Sequence, residues 1–140
     1  MSSTPSIAPS RESFAHFVAH VPAATPIVML NLLRFNAKAN YPAGSAEPAT
    51  TGLEAYAEYA RLITPIMAGV GAKIVWAGRA HSALIAPPGE CWDEVLLVQY
   101  PHKDAFVQMT QSVEYLAIVH HRTAALADSR LVASTEGLHK

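Results

Sequence analysis

His120, His121 and Arg122 are consecutive in the chain, bringing imidazoles and a permanent cation to one point. On a helix, Arg122 shares a stripe with Tyr115, Ile118 and Val119, spaced i, i+3, i+4 and i+7. A guanidinium on an apolar stripe must find a carboxylate, carbonyls or an anionic ligand. An internal pair with Asp93 or Asp128 meets that need structurally; a bound carboxylate or enolate meets it functionally. His121, with an ordinary pKa of about 6.5, suits proton transfer near neutral pH, while a histidine beside an arginine equally serves as a surface or capping residue. Asp93, at the head of WDEVLLVQY, becomes a base if desolvation raises its pKa; otherwise it bonds turn amides. His121 and Asp93 are the candidate catalytic groups.

Four further residues are candidates for holding a substrate. Asn31 is the uncharged polar side chain in the apolar run PIVMLNLLRF, and a buried amide needs partners or costs about 1–3 kcal/mol. It either bonds a neighbouring strand or loop, or orients a ligand in an apolar pocket. Trp76 shares a row with Ile74 and Gly78, where missing bulk leaves room for a ligand; the alternative is plain core. Tyr100 offers a phenolic donor to a cavity, or a core ring with its hydroxyl at the rim. Arg122 completes the set as the anion-binding group.

Other chemistries have little support. His16 and His20 are spaced i, i+4, workable for two metal ligands, but no Glu follows His16 in an HExxH pattern, so a solvated face is expected and no metal. The single Cys91 removes an intrachain disulfide framework and any multi-cysteine metal site. A glycine-rich phosphate loop and a GxSxG elbow are both missing. Covalent catalysis and a resident cofactor are therefore not expected.

The elements that must position these residues follow from periodicity. Ser10 caps a helix carrying Phe14, Phe17, Val18 and Val21 on one face and stopped by Pro22; residues 1–9, rich in Ser, Thr and Pro, are expected to fray. Residues 26–35 read as a strand. Residues 36–51 form a long loop without periodicity, expected to border the pocket and to move when no ligand is bound. Thr51-Gly-Leu-Glu54 fits a capping box opening a helix with Leu53, Tyr56, Ala60, Ile63 and Met67 as its apolar stripe, kinked at Pro65 and ended by Gly69 and Gly71. Residues 73–86 and 92–100 read as strands around the Pro87-Pro88-Gly89 turn. Helix is expected over 103–109 and, after a break at 110–112, to about Asp128, with a last short strand over 130–133.

The order is (α)βαββαβ: an N-terminal extension and helix over 1–25, a ferredoxin-like domain over 26–133, and a polar tail over 134–140. It predicts an α+β fold, a four-stranded antiparallel sheet with helices on one face. Both rows of the first and third strands are mostly apolar, whereas a face meeting water shows a polar row. The second face therefore needs a cover, either the N-terminal helix or, better, a second copy of the sheet.

Composition agrees. Of 140 residues, 51% are hydrophobic and 15% charged, which excludes disorder over most of the chain. Ten Lys+Arg against eleven Asp+Glu give 10 − 11 = −1, no footprint for a nucleic-acid backbone or an anionic membrane. Neither a signal peptide nor a membrane span is visible, so a cytoplasmic setting is the default.

MLNLLRF at 29–35, Tyr56 and Tyr59 within AYAEYA at 55–60, GAKIVWAG at 71–78, WDEVLLVQYP at 92–101, AFVQM at 105–109, EYL at 114–116 and HRTAALADSRL at 121–131 resemble, in order and spacing, the domain of unknown function 1330. That family lies in the dimeric α/β-barrel superfamily. The resemblance implies a homodimer in which two ferredoxin-like subunits pack their sheets face to face. Superfamily members include monooxygenases, haem enzymes, isomerases and ligand-binding regulators, so the fold selects no chemistry. Two functions are expected as alternatives: a protein binding a small oxygen-rich carboxylate or enolate in an apolar pocket, whether or not it also acts on it as a cofactor-independent enzyme, or a non-catalytic dimeric binding or structural module.

Overall fold

The computed structural model describes residues 4–137; the first three residues of the extension and the last three of the expected polar tail lie outside it. Its elements are α1 (Arg11–His20), β1 (Ile27–Phe35), α2 (Gly52–Gly69), β2 (Lys73–Arg79), β3 (Glu94–Tyr100), α3 (Lys103–Thr110), α4 (Val113–Leu116), α5 (Val119–Ala125) and β4 (Leu126–Ser134). The strands form one antiparallel sheet in the order β2-β3-β1-β4, the ferredoxin-like arrangement.

Local chemistry explains where the first helices begin. The Ser10 hydroxyl accepts from the Ser13 amide at 3.0 Å. The Thr51 hydroxyl accepts from the Glu54 amide at 3.1 Å while Glu54 reaches back to the Thr51 amide, so two orphan donors are satisfied reciprocally. α2 runs on through Pro65, which lies on its exposed face. Its other face buries Tyr56, Tyr59, Ile63 and Met67 against Ile27, Met29, Leu33, Val98 and Tyr100 of the sheet.

Three boundaries differ from the sequence expectation. β2 stops at Arg79, because β3 begins at Glu94 and leaves residues 80–86 nothing to pair with; Leu84 and Ile85 are consequently exposed. The long helix expected to reach Asp128 is two short ones, and β4 starts at Leu126. Its ladder runs the length of β1, from Val28 opposite Ser134 to Phe35 opposite Leu126, and burying Leu126 fully in the core outweighs continued helix. Within residues 1–9, expected to fray, the structure bonds Ser6 to β4. The Ser6 amide donates to Asp128 Oδ1 at 2.9 Å, and the Ser6 carbonyl accepts from Ser129 Oγ, strapping the segment to β4.

The register separates the two sheet faces. Ile27, Met29, Asn31 and Leu33 oppose Tyr100, Val98, Leu96 and Glu94 and face the helices. Val28, Leu30 and Leu32 share the outer face with Leu97 and Val95. α1 does not cover that outer face. It sits on the helix side, where Phe17 meets Phe106 at 5.3 Å and Lys103 Nζ donates to the carbonyls of Val18 and Val21. The outer face is therefore apolar and open in the single chain, with Trp76 53% and Val132 54% exposed.

Candidate functional site

Between sheet and helices lies a cavity of about 990 Å³. Into it point Asn31 from β1, Tyr56 and Tyr59 from α2, Tyr100 from β3, Tyr115 from α4 and Arg122 from α5, on otherwise mostly apolar walls. Strand parity brings Asn31 and Tyr100 to this face, and the helical stripe brings Tyr115 and Arg122. The phenols cluster: Tyr56 and Tyr59 have ring centroids 5.4 Å apart, Tyr59 and Tyr115 6.5 Å. The Asn31 amide donates to the Met29 carbonyl at 3.2 Å.

Burial pushes the Tyr56 hydroxyl up to about 12, with the nearby Arg122 charge pulling the other way. Burial, reinforced by the neighbouring phenols, likewise raises Tyr59 and Tyr100. All three remain protonated donors at neutral pH. Among the described residues that line the cavity there is no carboxylate and no imidazole. Three arginines also line it, Arg11, Arg122 and Arg130, of which Arg130 is paired with Asp128 and Glu90. A guanidinium beside several neutral O–H groups suits a carboxylate or an enolate-like oxygen.

Arg122 donates to the Ile7 carbonyl of the N-terminal strap and, among the described residues, makes no ion pair. Its expected internal partners are engaged elsewhere. Asp93 Oδ2 accepts from the amide of Phe35 at the end of β1, at 2.8 Å. Asp128 accepts from the amides of Ser6 and Ser129 and from Arg130 at 3.0 Å. Burial raises the Asp128 pKa, but those hydrogen bonds and the Arg130 charge prevail and hold it below the usual value. A carboxyl depressed on folding stabilises above its unfolded pKa and loses that contribution as pH falls through the folded value. Asp128→Asn is accordingly expected to melt below wild type at pH 7, with the gap closing below about pH 4. Thermal melts across that range check this; a gap independent of pH would contradict it.

The structure does not bring the other candidates to the cavity. Trp76 projects from the outer face: an extra residue at Val75 shifts the register, so Ile74 opposes Val98 while Trp76 opposes Leu97. The shared row with Ile74 is thereby split, and the indole lies across Gly78, where a Cβ would come within 2.3 Å of it. His121 is buried on the other side of α5, its Nδ1 2.6 Å from the Tyr41 hydroxyl. Loop 36–51 supplies that Tyr41 but no residue to the cavity wall, and it is tied down by Ala39 N–H to the Thr50 carbonyl and Asn40 N–H to the Ala124 carbonyl. Conversely, Tyr56, Tyr59 and Tyr115 went unremarked as site residues in the sequence. Their signal was a hydroxyl carried on a core-facing stripe.

Sheet order and cavity together define a ferredoxin-like α+β protein with a ligand-sized space between its layers. Residues 46–135 match the family described as Domain of unknown function (DUF1330), and the chain belongs to that family. The RPA0582 protein of unknown function from Rhodopseudomonas palustris is 41% identical, with TM-score 0.87 over 97% of this chain and 100% of its own. Its methylated form gives 42% identity and TM-score 0.88, covering 97% and 98%. A dimeric ferredoxin-like protein of unknown function from Bacteroides fragilis is 14% identical, with TM-score 0.50 over 82% of this chain and 100% of its own, a likeness of fold alone. A search of the curated proteins found no match. Among the described residues, no helix is long and apolar enough to cross a membrane.

Proposed function

We propose that this protein binds a compact, largely apolar small molecule bearing one carboxylate or enolate-like oxygen. The supporting observation is Arg122: a half-buried guanidinium with no carboxylate partner among the described residues, in a cavity lined by protonated phenols. A planar fork reads a carboxylate bidentately, and Tyr56, Tyr59, Tyr100 and Asn31 supply further polar contacts. Binding, rather than proton abstraction by His121 or Asp93, is the activity that these side chains support. Two copies would close their open outer faces on one another; the Bacteroides fragilis protein of similar fold is described as dimeric.

Thermal melts of wild type, Arg122→Ala and Arg122→Lys with a panel of small aromatic and alicyclic acids test the ligand. Wild type is expected to gain stability with the best acid as RT ln(1 + [L]/Kd). Arg122→Ala strands no buried charge, so its unliganded stability should stay within about 1 kcal/mol of wild type, while the acid-dependent shift disappears. Arg122→Lys should also lose most of the shift, because a point charge cannot reproduce the fork. A large loss of stability in Arg122→Ala, with no acid shifting wild type, would leave Arg122 a structural residue.

A further inference from the structure

On the far side of α5 from the cavity, His120 and His121 meet Glu47 of loop 36–51. His120 Nε2 lies 3.7 Å and His121 Nε2 3.9 Å from Glu47 Oε1, and one donor atom from each of the three residues falls within 4.8 Å of the others. The two imidazoles are side by side, ring centroids 4.1 Å apart. We infer that Glu47, His120 and His121 form a binding site for a divalent transition metal, zinc in the first instance, pinning the loop to α5.

Two imidazoles and a carboxylate are a borderline-soft N₂O set that suits zinc, and three protein ligands leave a fourth position to water. Zinc bonds of about 2.0–2.1 Å in tetrahedral geometry place ligand atoms about 3.3 Å apart. The gaps of 3.7 and 3.9 Å between Glu47 and the two histidines therefore need to close by about half an ångström, and the imidazole pair, within 4.8 Å, by at most about 1.5 Å. Glu47 and His120 are partly exposed and can make that movement, whereas His121 is already fixed.

What fixes it is Tyr41, whose hydroxyl sits 2.6 Å from His121 Nδ1. With Nδ1 protonated and donating to the phenolic oxygen, Nε2 is left as the free lone pair on the Glu47 side. Metal-bound histidines are held in this way through their second nitrogen. The carboxylate supplies a negative charge against the dication. No pattern in the sequence signals the set, because adjacent histidines lack the usual ligand spacing and Glu47 belongs to a distant loop.

The test is titration of the metal-free, untagged full chain with Zn²⁺ against a chromogenic chelator, and with Co²⁺ followed by visible absorption. Wild type is expected to take up one equivalent with micromolar or tighter affinity, to show the intense visible bands of four-coordinate cobalt, and to melt higher with zinc. His120→Ala and Glu47→Gln alter partly exposed side chains and should fold. Each is expected to weaken binding at least tenfold and to remove the cobalt bands. Tyr41→Phe should weaken it about tenfold through loss of the positioning bond. The double variant His16→Ala/His20→Ala, which removes the stacked pair on α1, should bind as wild type does. Less than stoichiometric uptake, binding indifferent to His120→Ala, or binding lost in the α1 double variant would each overturn the assignment.

Discussion

Gly52→Ala is expected to be among the most damaging single-methyl changes in the chain. A Cβ at position 52 would lie 2.2 Å from the Asn36 carbonyl oxygen, 2.6 Å from that of Ala125 and 2.7 Å from the Asn36 nitrogen. All three obstacles are backbone, and they are bonded to one another. The Gly52 amide donates to the Asn36 carbonyl at 3.0 Å and the Asn36 amide to the Ala125 carbonyl at 2.8 Å, with the Asn36 side chain bridging the carbonyls of Ala124 and Leu126. This knot joins the start of α2, the exit of β1 and the junction of α5 with β4, so relieving the clash means parting three elements at once. Overpacking of this kind costs about 3 kcal/mol, a large share of a domain's typical stability of about 5–15 kcal/mol. A fall of about 10 °C in Tm should follow. Gly69→Ala, at the other end of the same helix and with nothing within 4 Å of its Cβ, is the control and should be neutral or stabilising. Equal melting temperatures for the two variants would refute the account.

Val132→Asp is expected to convert a dimer into a monomer without unfolding it. Val132 is 54% exposed in the single chain, so the isolated fold tolerates the charge. In a dimer closed through the outer faces, the same carboxylate would be desolvated among Leu30, Leu97 and Trp76 of the two copies. An unpaired buried charge costs about 3–5 kcal/mol, which is a hundredfold or more in the dissociation constant. Sedimentation at micromolar concentration should show wild type as a dimer and the variant as a single chain, with matching far-ultraviolet spectra. A monomeric wild type, or a variant that still dimerises, would dismiss the face-to-face pairing and leave the apolar outer row unexplained.

How legible the molecule was in its sequence depends on how local each cause is. The caps at Ser10 and Thr51, the apolar stripe of α2 and the two-residue alternation of β1 and β3 act within a few residues. They suffice to place the elements in order and to send Asn31, Tyr100 and Arg122 towards one interior. β4 was misplaced because Ala125 to Ser129 carries no breaker, and only the presence of β1 makes strand the better state there. The row shared by Ile74 and Trp76 is broken because one inserted residue, Val75, inverts every later side chain of β2, and a bulge leaves no mark on hydrophobic periodicity.

From the sequence alone came the α+β class, the ferredoxin-like order, two apolar sheet faces and the expectation that a cation on an apolar stripe needs a partner. Each reflects a periodic pattern, which short-range geometry translates into faces. Only the tertiary structure decided that Arg122 meets the Ile7 carbonyl rather than Asp93 or Asp128, that α1 joins the helix side, and that Glu47 and Tyr41 come to His121. Those contacts join residues far apart in the chain. Many arrangements of equal local quality compete for them, and the choice falls to whichever buries the apolar rows while leaving the fewest polar groups without partners.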